Sequence, residues 1–561
     1  MSSNAQVATD QATSSGLVSR FYAESSDVPL EEILHYAKLQ RQRERSGNDI
    51  ERDQQNPCSK IADRLICRPM QSHTGQTSAS TQESAKSADT SLRATADSAA
   101  RVASWQSVLW LICTDIIGPS SAPYSVSVLG STGGAAAFVG FGIASFYSGM
   151  LVWLLFLKLD SAEYPIRAFG DLFGRILGRR ARSVSNILQS LQLVANVGII
   201  LLSSGMAFSQ ITKFRLCFVI CTLIWLFVGI SVAQIRTLRR FAWLASAAIW
   251  LNVLALLFTM IAMSDGEVNF GANSTKMSSD GSWPHKTVLA IVPAPFQEKL
   301  SALLNLIYAY GGCIVYCEFL SEMRKPMSFI KSLILAQAFI AVVYVVFGEV
   351  VYAKQGQYVV NPANMGIANY AWQTVTNVIS LISGVIAACL YGNIGVKLIY
   401  HNILETMLAF PSPSTSRGKL LWAPAVVSYW LLAFVIAVSV PAFSALTAVV
   451  AAFAIFQFSY LFPNLLYLAY NINCGAMLAD DPWTPGGGVK RVDTFRNFSR
   501  WKRGFLQQPI INTINLIWII LAAATMFLSI YASIIALKDA LGNKAASSWS
   551  CCSPVDPVGC S

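Results

Sequence analysis

Two of the carboxyl-bearing residues inside the long apolar stretches of this 561-residue chain are candidates for chemistry. Asp115 falls in the stretch 104–130, and Glu318 falls in the stretch 300–320. An ionisable side chain inside an apolar span is costly, so it is by default a candidate for a function such as proton transfer. The alternative is that each carboxyl only braces nearby backbone amides. Glu318 lies closer to a span end, which strengthens that alternative for it.

The same two stretches are interrupted near their middles by residues that break helices. The first contains Gly118, Pro119 and Pro123, and the second contains the pair Gly311-Gly312. Broken backbone at membrane depth persists only where protein or a water-filled cavity satisfies its polar groups. Paired interrupted helices in corresponding halves of a chain indicate the binding site of a secondary transporter. Two ordinary Pro and Gly kinks are the alternative interpretation.

A third polar feature is a stripe of amides in the stretch 183–211. Gln189, Gln192 and Asn196 follow one another at helical spacing and therefore share one face of a helix. Such a stripe either lines a cavity or hydrogen-bonds to neighbouring helices. The sequence leaves both interpretations open.

Long apolar runs carry these residues. Hydrophobic residues make up 54% of the chain and charged residues 13%, whereas soluble domains carry about 25% charged residues. The composition therefore excludes a large soluble enzyme, a disulfide-rich secreted domain and a fully disordered chain. A helix needs about 20 residues to cross a bilayer. Eleven segments meet this need: 104–130, 133–157, 183–211, 216–232, 242–263, 300–320, 329–352, 373–399, 423–440, 442–471 and 510–537.

The interrupted spans are the first and the sixth, which predicts an inverted 5+5 repeat followed by one extra helix. We therefore expect an all-α polytopic transporter domain over 103–537. Its first repeat covers about 104–263, its second about 300–471, and the extra helix covers 510–537.

The two ends of the chain have a different composition. Residues 1–102 are polar and rich in Ser and Thr, which predicts a disordered cytosolic tail with a short helix near 29–45. Residues 538–561 are predicted to form an extracytosolic tail. Its cysteines, Cys551, Cys552 and Cys560, suffice for one disulfide in an oxidising compartment and leave one thiol over.

The distribution of Lys and Arg predicts the orientation. With the N-terminus in the cytosol, the tail and inner loops hold 33 of these residues and the outer loops hold 8. The positive-inside rule then favours this orientation, and the net charge of +11 reflects topology rather than nucleic-acid binding. The sequon at Asn273 falls in an outer loop, where we expect glycosylation, whereas the sequon at Asn497 falls in an inner loop. The arginine-rich inner loop 158–182 has the periodicity of a surface helix that binds lipid phosphates, or it is a topology signal alone.

Four segments resemble one family of transporters. TDIIGPSSAPYSVSVLG (114–130), KLDSAEYPIRAFGDLFGRILGRRAR (158–182), YAYGGCIVYCEFLSEMRKP (308–326) and YAKQGQYVVNPAN (352–364) are similar to the fungal branch of the amino acid/auxin permease family. The similarity covers roughly 104–537 and is strongest to permeases for neutral aliphatic and aromatic amino acids. It implies a leucine-transporter-like fold of eleven helices and amino acid uptake driven by a proton gradient.

The two breaks also predict how a substrate is held. The half-helix after the first break begins near Ser120-Ser121, and its free amides and positive dipole end would face a carboxylate. Carbonyls freed in the sixth span near Tyr308–Gly311 would meet the ammonium group. In the family the site is built from these breaks, and the resemblance implies the matching positions here: Ile117, Gly118, Ser120, Ser121, Tyr308, Tyr310, Gly311 and Gly312.

A coupled carrier needs a group whose charge changes as the site alternates. Burial favours the protonated form of a carboxyl, so Asp115 and Glu318 are the candidates for proton coupling. Sodium is the alternative, because freed carbonyls together with Ser380 or Ser383 of the eighth span would coordinate it. The resemblance favours protons.

No enzyme motif supports a catalytic function. The metalloprotease HExxH, the hydrolase GxSxG and the nucleotide-binding GxxxxGK[ST] patterns are absent from the sequence. We therefore expect no catalytic residues, no metal and no cofactor, with an amino acid and the lipid bilayer as partners. A sensor that binds an amino acid without transport remains the alternative. The plasma membrane is the expected location, with the vacuolar membrane as the alternative.

Overall fold

The computed structural model is predominantly helical in the part of the chain that it describes. That part comprises residues 28–55, 101, 103–116, 119–234, 238–265, 267–270, 282–405, 410, 416–440, 442–478, 480, 491–542 and 548–555. Within it no β-strand is found, and one isolated parallel bridge joins Ala103 to Met323.

The helix predicted near 29–45 is present in the N-terminal region. This helix, α1, runs over Leu30–Gln55. Its Ile33 and Ala37 are each 1% exposed, and Glu32 accepts a hydrogen bond of 2.8 Å from the Tyr164 hydroxyl. A packed helix therefore lies within the region for which the sequence predicts disorder.

The first predicted repeat contains an interrupted helix and four further spans. Its elements in chain order are α2 (Trp105–Ile116), a 3₁₀ turn (Pro119–Ser121), α3 (Ala122–Leu129), α4 (Ser131–Leu159), the short α5 (Phe169–Leu177), α6 (Arg179–Ile211), α7 (Phe218–Val232) and α8 (Leu238–Asp265). Gly130 joins α3 to α4 at φ +89°, and a Cβ there would clash with the carbonyl of Ala290, so only glycine fits.

The second predicted repeat has the same order, and one further span follows it. Its elements are α9 (Phe296–Ala309), a 3₁₀ segment (Gly311–Val315), α10 (Tyr316–Glu322), α11 (Phe329–Gln355), α12 (Tyr370–Ile399), α13 (Ser416–Ser439), α14 (Phe443–Val450) and α15 (Phe462–Met477), then α16 (Phe498–Leu506) and α17 (Pro509–Gly542). Two π-helical segments, Ala451–Ile455 and Gln457–Leu461, join α14 to α15.

Nine stretches within the described residues are long and apolar enough to cross a membrane. Trp105–Thr114 and Phe218–Val232 are shorter apolar helices, and the predicted count of eleven spans needs both of them. The first of these leads through the 3₁₀ turn into α3. Length and composition of the helices alone therefore do not confirm eleven spans.

The two interrupted spans pack against each other in opposite directions. The second half of the first span, α3, contacts the first half of the sixth, α9, while α2 contacts the 3₁₀ segment and α10. The Ser125 hydroxyl in α3 donates to the Ala302 carbonyl in α9 at 2.9 Å. The two breaks are therefore adjacent at the centre of the bundle, as the pairing of interrupted helices predicts.

The loop helix α5 is buried against other parts of the protein and is not a helix on the surface. Its Phe169 and Leu172 are fully buried, Asp171 pairs with Arg182 at 2.8 Å, and Arg175 donates to the carbonyls of Tyr164 and Pro165. The interpretation of this loop as a lipid-binding surface helix is wrong for Arg175 and Arg182, because internal acceptors bind both guanidinium groups.

The C-terminal segment 548–555 returns to the helix bundle. Cys551 forms a disulfide with Cys217, 334 residues earlier in the chain. The hydroxyls of Ser209 and Ser553 lie 2.7 Å apart, and the Phe218 amide donates to the Cys551 carbonyl at 2.9 Å. The three tail cysteines therefore do not pair only among themselves, because the partner of Cys551 lies in the loop between α6 and α7.

Candidate transport site

The first break opens a helix N-terminus at the centre of the bundle. α3 begins at Ala122 after a 3₁₀ turn, with Pro123 in its first turn, so the first amides of this helix have no partner within it. Ser121 is 3% exposed. Ile117 and Gly118 lie outside the described residues, as does the side chain of Asp115 in the last turn of α2.

The second break is held open by side chains from neighbouring helices. The Ala309 carbonyl accepts a hydrogen bond of 2.9 Å from Tyr344, and the Tyr310 carbonyl accepts one of 3.3 Å from Ser145. A carbonyl has two lone pairs, so each retains capacity for another donor. Substrate ammonium at this break would share these carbonyls with the protein's own hydroxyls.

A cavity of about 150 Å³ lies between the two breaks. An engineered cavity of roughly this size holds a molecule such as benzene, so the space suits a small ligand. Both interrupted spans, α6, α8, α12, α14, the loop between α11 and α12 and the first π-helical segment line it. The lining residues are Thr114, Ser120, Ser121, Asn196, Ile199, Ile200, Ser203, Ser204, Ala207, Asn252, Tyr308, Ala309, Gly311, Asn364, Ser380, Leu381, Ser383, Gly384, Ala387, Tyr391, Phe443 and Ile455.

The candidate site residues divide between the cavity and the core. Ser120, Ser121, Tyr308 and Gly311 line the cavity. Tyr310 is instead fully buried, with its ring 6.3 Å from that of Phe138 and 5.4 Å from that of Tyr344. Gly312 is buried and is not among the lining residues. Of the six predicted positions that the structure describes, four therefore line the cavity, whereas Tyr310 and Gly312 belong to the core.

The described lining of the cavity is polar but uncharged. Hydroxyl and amide side chains supply its polar groups, and none of the lining residues is Asp, Glu, Lys, Arg or His. Ile199, Ile200, Leu381, Phe443 and Ile455 supply apolar groups to the lining. The site therefore matches a small molecule with polar groups and a neutral body.

The amide stripe of α6 serves both of the roles that the sequence left open. Asn196 lines the cavity, whereas Gln189 donates to the Ile314 carbonyl at 2.9 Å and to Glu318 Oε1 at 2.7 Å. Gln192 lies between them and is 1% exposed. Glu318 is 9% exposed and lies outside the cavity, beyond the 3₁₀ segment.

A neutral amide network covers the end of the cavity near the loop between α11 and α12. Asn364 in that loop donates to Asn377 Oδ1 at 2.9 Å, and Asn377 donates to Gln210 Oε1 at 3.0 Å. Gln210 in turn donates to the Met365 carbonyl at 3.1 Å. The network ties the loop to α6 and α12.

Sequence reasoning missed two amides of the cavity. Asn252 of α8 accepts a hydrogen bond of 2.6 Å from Ser383, and Asn364 comes from a loop. Single polar residues without a periodic partner carry no sequence signal. Ser380 and Ser383, the hydroxyls considered for sodium, both line the cavity.

Comparison with known proteins places the chain in a family. The model of the family "Transmembrane amino acid transporter protein" matches residues 101–475, which are the residues that build the breaks and the cavity. The chain belongs to the transmembrane amino acid transporter family. The resemblance to an amino acid permease family is thereby confirmed.

Individual relatives are distant. The "N amino acid transport system protein" of Neurospora crassa is 26% identical over 371 residues, which cover 64% of this chain and 74% of the relative. A "Transmembrane transporter" of Fusarium pseudograminearum is 22% identical over 372 residues, which cover 66% and 75%. Among solved structures, a manganese transporter of Eremococcus coleocola is similar, with a TM-score of 0.44 and 14% identity over 78% of this chain and 92% of that one.

Proposed function

We propose that this member of the family is a secondary active transporter that carries a neutral amino acid together with a proton. The observation that carries the proposal is the cavity between two interrupted helices, whose described lining residues are all uncharged. A charged substrate side chain would need a buried countercharge, and no described lining residue supplies one.

The ends of an amino acid match the polarity of the two breaks. The N-terminus of α3 near Ser120 and Ser121 offers free amides and a positive dipole end to the carboxylate. The C-terminal end of α9, near Tyr308 and Ala309, offers carbonyls and a negative dipole end to the ammonium group. The apolar lining residues, which include Phe443, would then contact an aliphatic or aromatic side chain.

Glu318 and Asp115 are the proposed proton carriers. Glu318 is buried in α10, directly after the 3₁₀ segment whose first residue, Gly311, lines the cavity. Asp115 lies in the last turn of α2, just before the first break. Protonation of either group would alter the electrostatics of a backbone segment that contacts the substrate.

A substrate and ion test separates this proposal from its alternatives. Purified protein in proteoliposomes would be supplied with radiolabelled neutral, acidic and basic amino acids at two external pH values. We expect neutral amino acids to accumulate when the pH gradient is inward, without sodium. Accumulation that needs sodium would favour a sodium site with Ser380 and Ser383, and saturable binding without accumulation would favour a sensor.

The proton carrier is tested by Asp115→Asn and by Glu318→Gln, each of which mimics the protonated state. A carrier that cannot release its proton should still exchange labelled for unlabelled amino acid, whereas accumulation driven by pH should be lost. Accumulation at the wild-type level in one variant would clear that residue of the role. The control is Glu163→Gln, which alters a carboxyl of the loop between α4 and α5.

We propose that the N-terminus is cytosolic, the C-terminus is outside, and the membrane is the plasma membrane, with the vacuolar membrane as the alternative. The Cys217–Cys551 disulfide supports this orientation, because it joins a loop and a tail that the charge distribution assigns to the outer side.

Glycosylation of Asn273, which lies outside the described residues, tests the orientation through a glycosidase-sensitive shift in the mass of the protein. The shift should vanish in Asn273→Gln and persist in Asn497→Gln, and the opposite result would reverse the orientation.

A further inference from the structure

One buried amide links the proposed proton carrier to the interrupted sixth span. Gln189 is 0% exposed. Its Nε2 donates to the Ile314 carbonyl at 2.9 Å and to Glu318 Oε1 at 2.7 Å. An amide nitrogen carries two N–H donors, so Gln189 uses one on the backbone of the break and one on the carboxyl.

These two acceptors have different consequences for the site. Ile314 belongs to the 3₁₀ segment that begins at Gly311, and Gly311 lines the cavity. Glu318 belongs to α10, which follows that segment directly. The side chain of Gln189 comes from α6, so it holds the break from outside the sixth span.

We propose that Gln189 is the positioning residue that conveys the charge state of Glu318 to the substrate site. A hydrogen bond to an ionised carboxylate is shorter and about twice as strong as one to a neutral acceptor. When Glu318 binds a proton, the hydrogen bond that its carboxyl accepts from Gln189 becomes weaker. The side-chain amide of Gln189 can then rotate. The Ile314 carbonyl then loses its donor, and the backbone that reaches Gly311 can change its conformation.

Other ionisable groups come from α10 itself and from the elements packed against it, which include α2, α4, α5, α6 and α12. Glu322 of α10 lies 4.0 Å from Lys397 of α12. Asp171 of α5 pairs with Arg182, and Arg175 of the same helix donates to backbone carbonyls. Lys158 of α4 lies 4.9 Å from the centre of the Tyr470 ring. Asp115 of α2 is the other proposed carrier. Gln189 is a neutral donor among these charges, which suits a relay that must not titrate itself.

The inference rests on the proposed proton coupling, and the experiment separates the two. Wild type, Gln189→Leu and the control Gln192→Leu would be assayed in proteoliposomes for accumulation and for exchange at equal pH. The control removes a second buried amide from the same face of α6. One proton per substrate at a pH difference of one unit supports at most about tenfold accumulation.

We expect the accumulation ratio of Gln189→Leu to fall to about one while exchange stays within about threefold of wild type. Gln192→Leu should keep both activities. Accumulation and a pH profile like those of wild type in Gln189→Leu would overturn the inference. A wild type that ignores the pH gradient would overturn the proposed function instead.

A second variant keeps the inference testable if Gln189→Leu does not fold. Gln189→Glu has nearly the same shape but places a second carboxyl beside Glu318, and two adjacent carboxyls share a proton because like charges disfavour double ionisation. The pH profile of uptake should therefore shift to higher pH. An unshifted profile would contradict the relay, since a packing role alone would not depend on pH.

Discussion

Two regions of the helix bundle are held together by different chemistry. Beside the start of α2, the Ala103 amide donates to the Glu322 carbonyl at 2.9 Å, and the buried Asp160 pairs with Arg101 at 3.0 Å and with Arg41 of α1 at 3.1 Å. At the loop between α11 and α12, the amides of Asn364, Asn377 and Gln210 form a hydrogen-bonded network, and Asn364 lines the cavity. We call these the charged closure and the amide closure.

The difference indicates that the charged closure is the stronger of the two. It also indicates that this closure involves the N-terminal region. Removing one partner of a buried ion pair destabilises a protein strongly, because it leaves the other charge buried without compensation. A neutral hydrogen bond contributes only about 1 kcal/mol to stability. The charged closure also includes α1, so the N-terminal region takes part in it. In the proposed orientation the charged closure lies on the cytosolic side, and the loop that contains the cavity-lining residue Asn364 lies on the outer side.

The largest effect on transport is expected from Asp160→Asn. This variant keeps the shape of the side chain but leaves the largely buried Arg101 without its carboxylate partner, at a cost of about 3–5 kcal/mol, and leaves Arg41 with Glu44 as its remaining carboxylate partner, which lies 2.8 Å away. Uptake should fall by more than about tenfold. A tenfold decrease needs only about 1.4 kcal/mol, which is less than that cost. Trypsin should also cleave within α1 in inside-out vesicles. Glu163→Gln is the control, and wild-type uptake with an intact α1 would show that the charged closure is not needed.

A smaller effect is expected from Asn377→Leu in the amide closure. The substitution leaves Gln210 Oε1 and Asn364 Nδ2 without their partner, and each unpaired buried group costs about 1–3 kcal/mol. The apparent substrate constant should rise by about fivefold, equally at low and high salt. Thr374→Val alters an exposed position of the same helix and should have no effect. An effect of Asn377→Leu that depends on salt would contradict the distinction between the closures.

The smallest effect on transport is expected from the buried ion cluster beside α16. Arg500 is 1% exposed and contacts Asp480 at 2.6 Å and Asp493 at 2.8 Å. The hydrogen bonds from Arg500 lower the pKa of Asp480 below its usual value. The stability that the ionised Asp480 contributes is therefore fully present above its pKa in the unfolded chain, which is about 3.9. It is lost as the pH falls through the lower pKa that Asp480 has in the folded protein.

Arg500→Met should consequently lower the melting temperature at neutral pH and reduce its further decrease in acid, while transport changes less than about twofold. Thermal melts of purified protein between about pH 3 and pH 7 measure this. Arg503→Met removes a cation with 28% exposure from Asp493, and its melting temperature should change less because exposed pairs contribute little. Equal decreases of the melting temperature in Arg500→Met and Arg503→Met would contradict the argument that the buried ion pair contributes more than the exposed one.

The sequence predicts the breaks well and their partners poorly. Gly118, Pro119 and the pair Gly311-Gly312 disrupt helices through local chemistry, so the interruption is visible in the chain itself. The contact of Gln189 with Glu318 joins residues 129 positions apart, and the disulfide of Cys217 joins residues farther apart still. Such pairings depend on how the helices pack, and no local pattern encodes them.

Proton movement during transport tests the central claim most directly. Proteoliposomes that contain the full chain and a trapped pH dye would receive a neutral amino acid, without sodium and without an initial pH gradient. We predict that the lumen acidifies when the amino acid enters, at a rate proportional to uptake, and that Glu318→Gln carries out exchange without acidification. Uptake of the amino acid by the wild type with no change in luminal pH would contradict proton coupling.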